Sequence, residues 1–430
     1  MKFPLRNLYF VVAVLLLPVI LLAQDYSTSL VIPPSAHAPL RKATGTHLFM
    51  AVGFSTKVNN PQGTSVTKLI AQDDTTTKED DDELTVYGVN ADNNEIIYNT
   101  SLINIEIYRG ESGRKVTHLN APRGITSTEY GDVYLADMGN NRVVSLFNRK
   151  GKQLEYVRES RPDSPDFSPF DLTISTNGIV FVTDSLGAKV WQWDPTLEKW
   201  TSFIHLVEKP LGIVMYDKDD RWAYYNQSRL GIITHDGRRV LITDMSGRRI
   251  AEYKPQEKES RFRYIAVDYY GNFYMTDNGL HRIVKIDRDG QFLDEIGGPG
   301  KDDYEFLSPQ GIAIWKRFGQ VCVAESYAAQ YYLIGTSIKK AAVQTVDDKI
   351  EIALTLTEKA RVTLDLQQDG EVVHQFLDNW IISQGKFSRQ WIIPDSLDSG
   401  KYELSIHAQP YYSSTKYFTA EKTVTWNYQE

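Results

Sequence analysis

The chain has 430 residues, of which 42% are hydrophobic and 24% are charged, and its formal net charge is −8. This length and composition predict a folded protein of more than one domain and exclude wholesale disorder. The acidic balance argues against a nucleic-acid partner, because binding to phosphates requires clustered lysine and arginine. The single cysteine, Cys322, excludes an internal disulfide and a cysteine-rich metal site.

Residues 1–23 have the pattern of a secretory signal peptide. Lys2 and Arg6 precede an almost continuous apolar run from Leu8 to Ala23, which is the usual order of the charged and hydrophobic regions. We expect cleavage after Ala23, and the alternative is an uncleaved N-terminal membrane anchor, which would be the only link to a membrane. Either outcome predicts a secreted, periplasmic or cell-surface protein, with residues 24–45 as a short segment ahead of the first domain.

Residues 46–118 contain strand-like runs but no clear repeat. The runs are Leu48–Phe54, Leu84–Val89, Glu95–Asn99 and Ile103–Arg109. Between the first two runs lies the segment 72–83, which has seven carboxylates and no apolar residue. A calcium-binding EF-hand loop needs a central glycine and ligands at alternate positions, which this segment lacks. We interpret it as a solvated loop inserted into the domain.

Five segments between residues 115 and 336 share one template. Each has a proline-type opening, a short apolar strand, a glycine-containing turn and a second strand that ends in a polar residue. The openings are Pro122-Arg-Gly-Ile125, Pro169-Phe-Asp-Leu172, Pro210-Leu-Gly-Ile213, Phe262-Arg-Tyr-Ile265 and Pro309-Gln-Gly-Ile312. Four short strands in each unit of roughly 40–50 residues are typical of a propeller blade.

These five units and the segment 46–118 predict an all-β architecture with a six-bladed β-propeller over residues 46–336. The last repeat is short, and this predicts that the N-terminal region supplies an outer strand to close the ring. Such closure would leave no unpaired sheet edge in the propeller.

Polar residues recur at the end of the second strand in each repeat and five positions later. The strand-end residues are Asp137, Asp184, Asn226, Asp277 and Glu325, and the later residues are Arg142, Lys189, Arg282 and Gln330. In the third repeat the basic residue comes early, at Arg229, and this predicts a turn two residues shorter. A fold needs the same contact in every repeat, whereas a site needs a unique one, so we interpret these residues as structural turn braces. The alternative is a cation site on one propeller face.

Two of the repeats resemble the NHL-repeat family of β-propellers. The matching residues are Pro122-Arg-Gly-Ile125, Val133-Tyr-Leu-Ala-Asp-Met-Gly-Asn-Asn-Arg142 and Asn272-Phe-Tyr-Met-Thr-Asp-Asn-Gly-Leu-His-Arg282. The linker Gly297-Gly-Pro-Gly300 is also similar to the connection between blades in that family. The resemblance implies six blades. Some propellers similar to this family are metal-dependent lyases or lactone hydrolases, with ligands that converge on the central channel.

Residues 337–430 change to a strict alternation of apolar and polar positions. Lys349–Leu356, Ala360–Leu366 and Lys401–Ile406 are examples, and such short strands separated by turns indicate a β-sandwich. The residues Gly385–Trp391 and Leu397–Leu404 resemble the bacterial Ig-like module of flagellar hook scaffold proteins. The resemblance implies a domain that presents or spaces other domains.

Histidines, aromatic residues and basic residues are the remaining candidates for a site. His118 and His205 precede repeat openings and are the candidate metal ligands, although a catalytic metal needs a third protein ligand. A ligand face could be formed by Trp191, Trp193, Tyr224 and Tyr225, and the alternative role of these aromatics is packing between blades. Arg238, Arg239, Arg248, Arg249, Lys254 and Lys258 form a basic patch. We interpret the patch as mixed solvated surface, with attraction of an anionic partner as the alternative.

These observations favour a binding or scaffolding module for a protein, peptide or glycan over an enzyme. The sequence has no nucleophile elbow, no phosphate-binding loop and no dinucleotide fingerprint. No cofactor is predicted. The alternative is a lactonase- or lyase-type propeller enzyme with calcium or zinc in the central channel, and a third possibility is a structural protein of the cell surface.

Overall fold

The computed structural model describes residues 27–33, 41–72, 76, 84–101, 104–206, 208–412 and 418–429. The predicted signal peptide and most of the acidic segment 72–83 lie outside the described residues. Among the residues that are described, no helix has the length and apolar character needed to cross a bilayer.

Antiparallel sheets dominate the described chain. It opens with β1 (Leu30–Val31), β2 (Lys42–Thr44) and the helix α1 (Gly45–Val52). The first four-stranded sheet contains β3 (Pro61–Thr67), β4 (Thr85–Asn90), β5 (Glu95–Asn99) and β6 (Ile105–Tyr108). The second contains β7 (Ile125–Ser127), β8 (Asp132–Asp137), β9 (Arg142–Arg149) and β10 (Gln153–Ser160). The third contains β11 (Pro169–Ile174), β12 (Val180–Asp184), β13 (Lys189–Asp194) and β14 (Lys199–His205).

Three more sheets follow in the same pattern. The fourth contains β15 (Ile213–Tyr216), β16 (Arg229–Thr234), β17 (Arg239–Thr243) and β18 (Arg249–Tyr253). The fifth contains β19 (Phe262–Val267), β20 (Phe273–Asp277), β21 (Arg282–Ile286) and β22 (Phe292–Ile296). The sixth contains β23 (Pro309–Trp315), β24 (Gln320–Glu325) and β25 (Ala328–Ile334), with β1 and β2 paired to β25.

The first strands of these sheets meet around one axis. In chain order β3, β7, β11, β15, β19 and β23 each contact the next, and β23 contacts β3. Large apolar side chains pack between successive sheets, as where the rings of Tyr134 and Trp193 meet edge to face at 5.8 Å. A cycle of antiparallel sheets joined through their first strands is a β-propeller, which confirms that prediction.

The sixth sheet takes its outer edge from the N-terminal segment. Leu30 pairs with Ile334, and Lys42 pairs with Gln330. This is the ring closure that the short last repeat predicted, and it ties the beginning of the described chain to its last propeller strand. The expected boundary at residue 46 is therefore wrong, because it separates β1 and β2 from their sheet.

The first sheet corrects two expectations about residues 46–118. The run Leu48–Phe54 was expected to be a strand, but Gly45–Val52 is a helix whose first backbone groups are capped by Thr44 and His47. The innermost strand is β3, and its opening, Pro61-Gln62-Gly63, matches the repeat template. The insertion that contains the acidic segment separates Pro61 from its strand-end partner Asn90, and this longer spacing hid the repeat.

Residues 338–428 form two further sheets with a common core. One contains β26 (Ile338–Val346), β27 (Lys349–Leu356) and β30 (Gly385–Ile392). The other contains β28 (Ala360–Gln368), β29 (Glu371–Ile382), β31 (Gly400–Pro410) and β32 (Ala420–Tyr428). Alternate side chains of both sheets are buried against each other, among them Ile352, Leu364 and Ile406. The alternation in the sequence therefore marks the inward face of each strand.

Candidate functional site

Strand direction gives the propeller two distinct faces. One end of every sheet carries the start of the first strand, the turn between the second and third strands, and the linker to the next sheet. We call this end the linker face. The turns that join first and second strands lie on the opposite face. The C-terminal domain contacts that opposite face, where the hydroxyl of Tyr270 donates to the carbonyl of Tyr411 at 2.9 Å. The linker face is therefore the side that faces away from this contact.

The repeated acidic residues lie on the linker face, where their carboxylates accept several hydrogen bonds. Asp137 has no solvent exposure, and it accepts hydrogen bonds from the Asn120 amide at 2.7 Å, the Asn140 side chain at 2.8 Å and Arg142 Nε at 2.6 Å. Arg142 also donates to the carbonyl of His118 at 2.8 Å. These contacts join a linker, a turn and a strand start within one repeat, as a turn brace would.

The other repeats vary this arrangement. Asp277 accepts from the Arg261 amide at 2.7 Å and from Arg282 Nε at 3.3 Å. Gln330 donates to Glu325 at 2.7 Å. In the third sheet Asp184 accepts from the indole of Trp191 at 3.0 Å, whereas the Lys189 ammonium lies 5.1 Å from the centre of the Trp191 ring.

Asn226 is not a strand-end residue, and that prediction is wrong. It is exposed and lies in the connection 217–228 between β15 and β16. Thr234 ends β16 and pairs with Arg239, which starts β17, so these two residues occupy the positions of Asp137 and Arg142. An insertion in the first connection moved the strand end, and Arg229 therefore starts the second strand instead of the third. The prediction of a shorter turn in this repeat is therefore wrong, and the difference is a longer connection between β15 and β16.

The four predicted aromatic residues do not form one ligand face. Trp193 is fully buried, and its ring is stacked on Trp200 at 5.4 Å. Trp191 is held by Asp184, as described above. Tyr224 and Tyr225 lie in the connection 217–228, and the Tyr224 hydroxyl accepts a hydrogen bond from Lys359 of the C-terminal domain at 2.6 Å. These residues serve packing and the contact between the domains.

The two histidines are not brought together at the axis. His118 is exposed in the linker before β7, with Nε2 3.3 Å from the carbonyl oxygen of Glu111. His205 ends β14, the outermost strand of its sheet, and lies 3.1 Å from the Ser202 hydroxyl. Within the part of the chain that the structure describes, no group of three or more His, Cys, Asp or Glu side chains could hold a metal ion.

A basic groove with a volume of about 540 Å³ opens between the fourth and fifth sheets at the linker face. The residues that line it are His235, Arg238, Arg239, Lys254, Pro255, Gln256, Glu257, Lys258 and Arg261. Five of these carry the permanent positive charge of lysine or arginine, and one is a carboxylate. Phe, Tyr and Trp are absent from the lining. The groove thus concentrates positive charge on a protein with a net charge of −8.

Local geometry explains how the basic groove is built. The turn 235–238 is fixed to β19 because the Phe262 amide donates to the carbonyl of Gly237 at 2.8 Å. Gly237 has a φ of +83°, and an added Cβ would meet the Phe262 carbonyl oxygen at 2.5 Å. Glu252 engages Lys254 at 2.8 Å and Arg239 at 3.5 Å. Arg238 and Lys258 are exposed and form no ion pair with any described residue.

The repeat openings meet at the axis of the linker face. Four of the six have glycine in the third position, because the neighbouring opening packs directly against it. An added Cβ on Gly124 would lie 2.1 Å from Asp171 Oδ1, and one on Gly311 would lie 2.4 Å from the Gln62 carbonyl. Asp171 and Tyr264 replace this glycine in the third and fifth sheets.

Side chains from alternate sheets fill the axis. The rings of Phe170 and Tyr264 stack at 5.5 Å, and the Tyr264 hydroxyl donates to Gln62 Oε1 at 3.0 Å. These residues belong to the third, fifth and first sheets, so they meet only across the centre of the ring. All three are buried, with 4%, 3% and 2% exposure for Phe170, Tyr264 and Gln62. The channel is therefore closed at this level.

Six polar residues at these openings form what we call the axial cluster: Gln62, Arg123, Asp171, Arg263, Tyr264 and Gln310. Burial raises the pKa of Asp171 to about 7, although the Ile213 amide lowers it by a hydrogen bond of 3.0 Å. Burial and Asp171 raise the pKa of Tyr264, while the charges of Arg263 and Arg123 lower it. The guanidinium of Arg263 lies 5.2 Å from the centre of the Phe170 ring.

The sequence contained a signal for the axial cluster that motif reading missed. The aligned openings have proline first in five of the six and Ile or Leu fourth in five of the six, whereas the second position varies and the third departs from glycine in two of the six. Arg123, Asp171, Arg263 and Tyr264 all lie at these variable positions. Asp171 and Tyr264 each occur in one opening, and arginine occupies the second position in only two of the six, so these residues depart from the repeat at its inner end.

Comparison with known proteins gives distant similarities. The protein brain tumor of Drosophila melanogaster is 28% identical over 124 residues, which are 26% of this chain and 12% of that protein. This chain therefore covers only a small part of that relative. No family model matches the sequence.

Two enzyme structures are also similar. Virginiamycin B lyase from Staphylococcus aureus has 18% identity and a TM-score of 0.43, over 58% of this chain and 77% of that one. A gluconolactonase from Xanthomonas campestris has 13% identity and a TM-score of 0.46, over 68% of this chain and 94% of that one. At these identities and TM-scores neither an activity nor a substrate follows for this chain.

Proposed function

We propose that this protein is a binding module that takes an acidic peptide segment of a partner protein in the basic groove. The observation that carries the proposal is the charge of the groove, with five lysine or arginine residues and one carboxylate around about 540 Å³. This volume is in the range of ordinary ligand pockets. Arg238 and Lys258 have no carboxylate partner among the described residues, so a ligand would not have to displace one.

The chemistry of the lining favours a peptide over a neutral glycan or a single-stranded nucleic acid. Neutral glycans and single-stranded nucleic acids bind largely through stacking on aromatic side chains, and the groove has none in its lining. A peptide offers both carboxylates for the guanidinium groups and backbone N–H groups for Glu257. Complementary charge would also accelerate the encounter between the two partners.

Titration of a fluorescent peptide rich in Asp and Glu tests this function, with a lysine-rich peptide of equal length as the control probe. The double variant Arg238→Glu, Lys258→Glu should weaken binding of the acidic peptide by at least about tenfold. The matched variant Arg248→Glu, Lys401→Glu has the same charge change at exposed positions outside the groove. It should bind nearly as well as the unmodified protein. Equal losses of peptide affinity in both variants would contradict a site in the groove. Binding of a sulfated glycan without binding of the peptide would show that the ligand is a glycan and not a peptide.

A lactonase- or lyase-type enzyme is the second candidate function. The observation in its favour is Asp171, a buried axial carboxyl whose pKa of about 7 suits proton transfer near neutral pH. The described residues do not fit a metal in the channel, since no three suitable ligands come together and the axis is filled. Turnover of a lactone that Asp171→Asn abolishes, in protein that remains fully folded, would establish this alternative.

We also propose that the ring is a six-bladed propeller of the NHL type and that residues 337–430 form an Ig-like sandwich. The cyclic contacts of six sheets and the two repeats quoted above support the first proposal. The two-sheet core supports the second. A signal peptide in residues 1–23 would make this a secreted, periplasmic or cell-surface binding protein, and mass determination of protein exported by its host would locate the cleavage.

A further inference from the structure

Two arginines of the axial cluster have no acidic partner. Neither Arg123 nor Arg263 forms an ion pair with any residue that the structure describes. Arg123 Nε is buried and has no hydrogen-bond partner there, and the same holds for Gln310 Oε1. Both arginines remain partly accessible, unlike the buried plug formed by Gln62, Phe170 and Tyr264.

An arginine without an acidic partner is unusual in a purely structural role. A buried donor without a partner destabilises the fold, and the arginines in the braces show what a structural role looks like here. Arg142 donates to Asp137, Glu159 and the His118 carbonyl, and Arg282 similarly has three carboxylate partners. The axial arginines lack these contacts, although Asp171 lies on the same axis.

Asp171 does not neutralise them because its carboxyl is already held. Its Oδ2 accepts the Ile213 amide at 3.0 Å, and its Oδ1 packs against Gly124. The two guanidinium groups come from the second and fifth sheets, and both act on Tyr264. The planar fork of an arginine matches a carboxylate in both shape and charge.

We propose that the axial cluster binds a carboxylate group through Arg123 and Arg263. This deepens the proposed function and rests on it, because Arg261 of the basic groove and Arg263 are two residues apart at the start of β19. A ligand in the groove would then place one carboxylate at the axis. The carboxylate could belong to a peptide side chain, a peptide C-terminus or a free small acid.

Glutarate tests the axial cluster separately from the groove, with uncharged glutaramide as the matched control compound. Saturable binding of glutarate, followed by protein NMR or by a concentration-dependent rise in melting temperature, is expected for the unmodified protein. The variant Arg123→Gln, Arg263→Gln should lose at least about tenfold in affinity for glutarate. The groove variant Arg238→Glu, Lys258→Glu should keep it within about twofold. Absence of saturable binding, equal binding of glutaramide, or full binding by the axial variant would overturn the proposal.

Two further measurements distinguish loss of the axial site from misfolding and identify the source of the carboxylate. If the glutamine variant does not fold, Arg123→Lys, Arg263→Lys retains the charge but removes the fork, and it should still weaken glutarate binding by several-fold. Acidic peptides with free or amidated C-termini distinguish an α-carboxylate from a side-chain carboxylate. Loss of peptide binding in the groove variant with retained glutarate binding supports both sites. Peptide binding that is insensitive to the groove variant contradicts the proposed function, while the glutarate result decides the axial site alone.

Discussion

The Asp137 side chain shows how one residue can hold three parts of a repeat together. It is fully buried and accepts hydrogen bonds from a linker amide, an asparagine and an arginine. We expect Asp137→Ala to lower the free energy of unfolding by about 1–3 kcal/mol, because buried donors lose a charged acceptor. Urea denaturation measures the change.

The control for this prediction is Asp163→Ala, which removes an exposed carboxylate from a linker on the same face. It should change the stability by less than about 0.5 kcal/mol. An Asp137→Ala protein with unchanged stability and lost peptide binding would make Asp137 a site residue.

Asp171 gives the protein a defined dependence of stability on pH. Burial raises its pKa from the ordinary 3.8 to about 7, so the folded state prefers the protonated form. Its contribution to stability is therefore present at low pH and is lost as the pH rises toward 7. We expect Asp171→Asn to gain stability relative to the unmodified protein as the pH rises from about pH 4 to about pH 7, by up to about 1.4 kcal/mol per pH unit.

Urea denaturation of both proteins across this range gives the difference directly. Asp92→Asn is the control, because Asp92 is an exposed residue on the linker face. A difference between Asp171→Asn and the unmodified protein that is independent of pH would show that the carboxyl of Asp171 is not raised in the folded state.

At the residue scale, residues that recur at the same spacing in the repeats could be predicted from the sequence, whereas the residues of the axial cluster could not. The strand-end Asp137 and Asp277 were found because their spacing repeats. Tyr264 was missed because it occurs once, and Arg123 because arginine occupies its position in only two of the six openings. Their proximity depends on how the openings close around an axis. No local spacing encodes that closure.

Among elements, the contact between β21 and the turn before β28 depends on a buried ion pair. Lys285 and Glu358 are both fully buried, with Nζ 2.6 Å from the carboxylate oxygen. Asp268 is also buried there, and burial together with Glu358 raises its pKa, while Lys285 lowers it. Lys285→Met should cost about 3–5 kcal/mol, since it leaves two buried carboxyls without a cation.

Glu358→Gln should cost less than Lys285→Met, because Asp268 remains near the lysine in that variant. Urea denaturation compares the two, and Glu198→Gln in the exposed Arg158–Glu198 pair is the control, with an expected change below about 1 kcal/mol. The reverse order of the two buried variants would contradict this account of the contact.

Prediction of the elements succeeded where the spacing was regular. The strands of the second and fifth sheets follow the template, whereas insertions in the first and fourth sheets displaced Asn90 and Thr234 from their expected spacing. The helix at 45–52 was taken for a strand because its apolar residues form one continuous run, Leu48–Val52, which is too short to show a helical period. Thr44 and His47 cap it through contacts that a pattern of apolar residues does not record.

For the whole molecule, the free energy of unfolding depends on closure of the ring by the N-terminal segment. Leu30 is fully buried and pairs with Ile334 at the edge of the sixth sheet. Leu30→Ala should lower the free energy of unfolding by about 2–5 kcal/mol, as for other buried leucines. Thermal and urea unfolding measure this, and Phe54→Ala, at a side chain that is 95% exposed, serves as the control. Equal stability of the two variants would show that the segment does not close the ring.

The faces of the propeller could not have been assigned from the sequence. Alternation in residues 337–430 predicted a separate β domain, but its contact with the opposite face depends on distant pairs such as Tyr270 with Tyr411. The basic groove likewise joins a turn of the fourth sheet to the linker that follows. In the sequence its residues were mixed with Asp236 and Glu252, so they read as ordinary solvated surface.

Hydrogen exchange of the protein with and without the acidic peptide tests the central claim most directly, because it locates the bound segment on one face. The account predicts slower exchange at residues 235–239 and 254–263, which form the basic groove and the start of β19. Exchange should be unchanged in the opposite-face turns 268–272 and 316–319. Protection confined to those turns or to residues 338–428, with none in the groove, would contradict a peptide-binding site on the linker face.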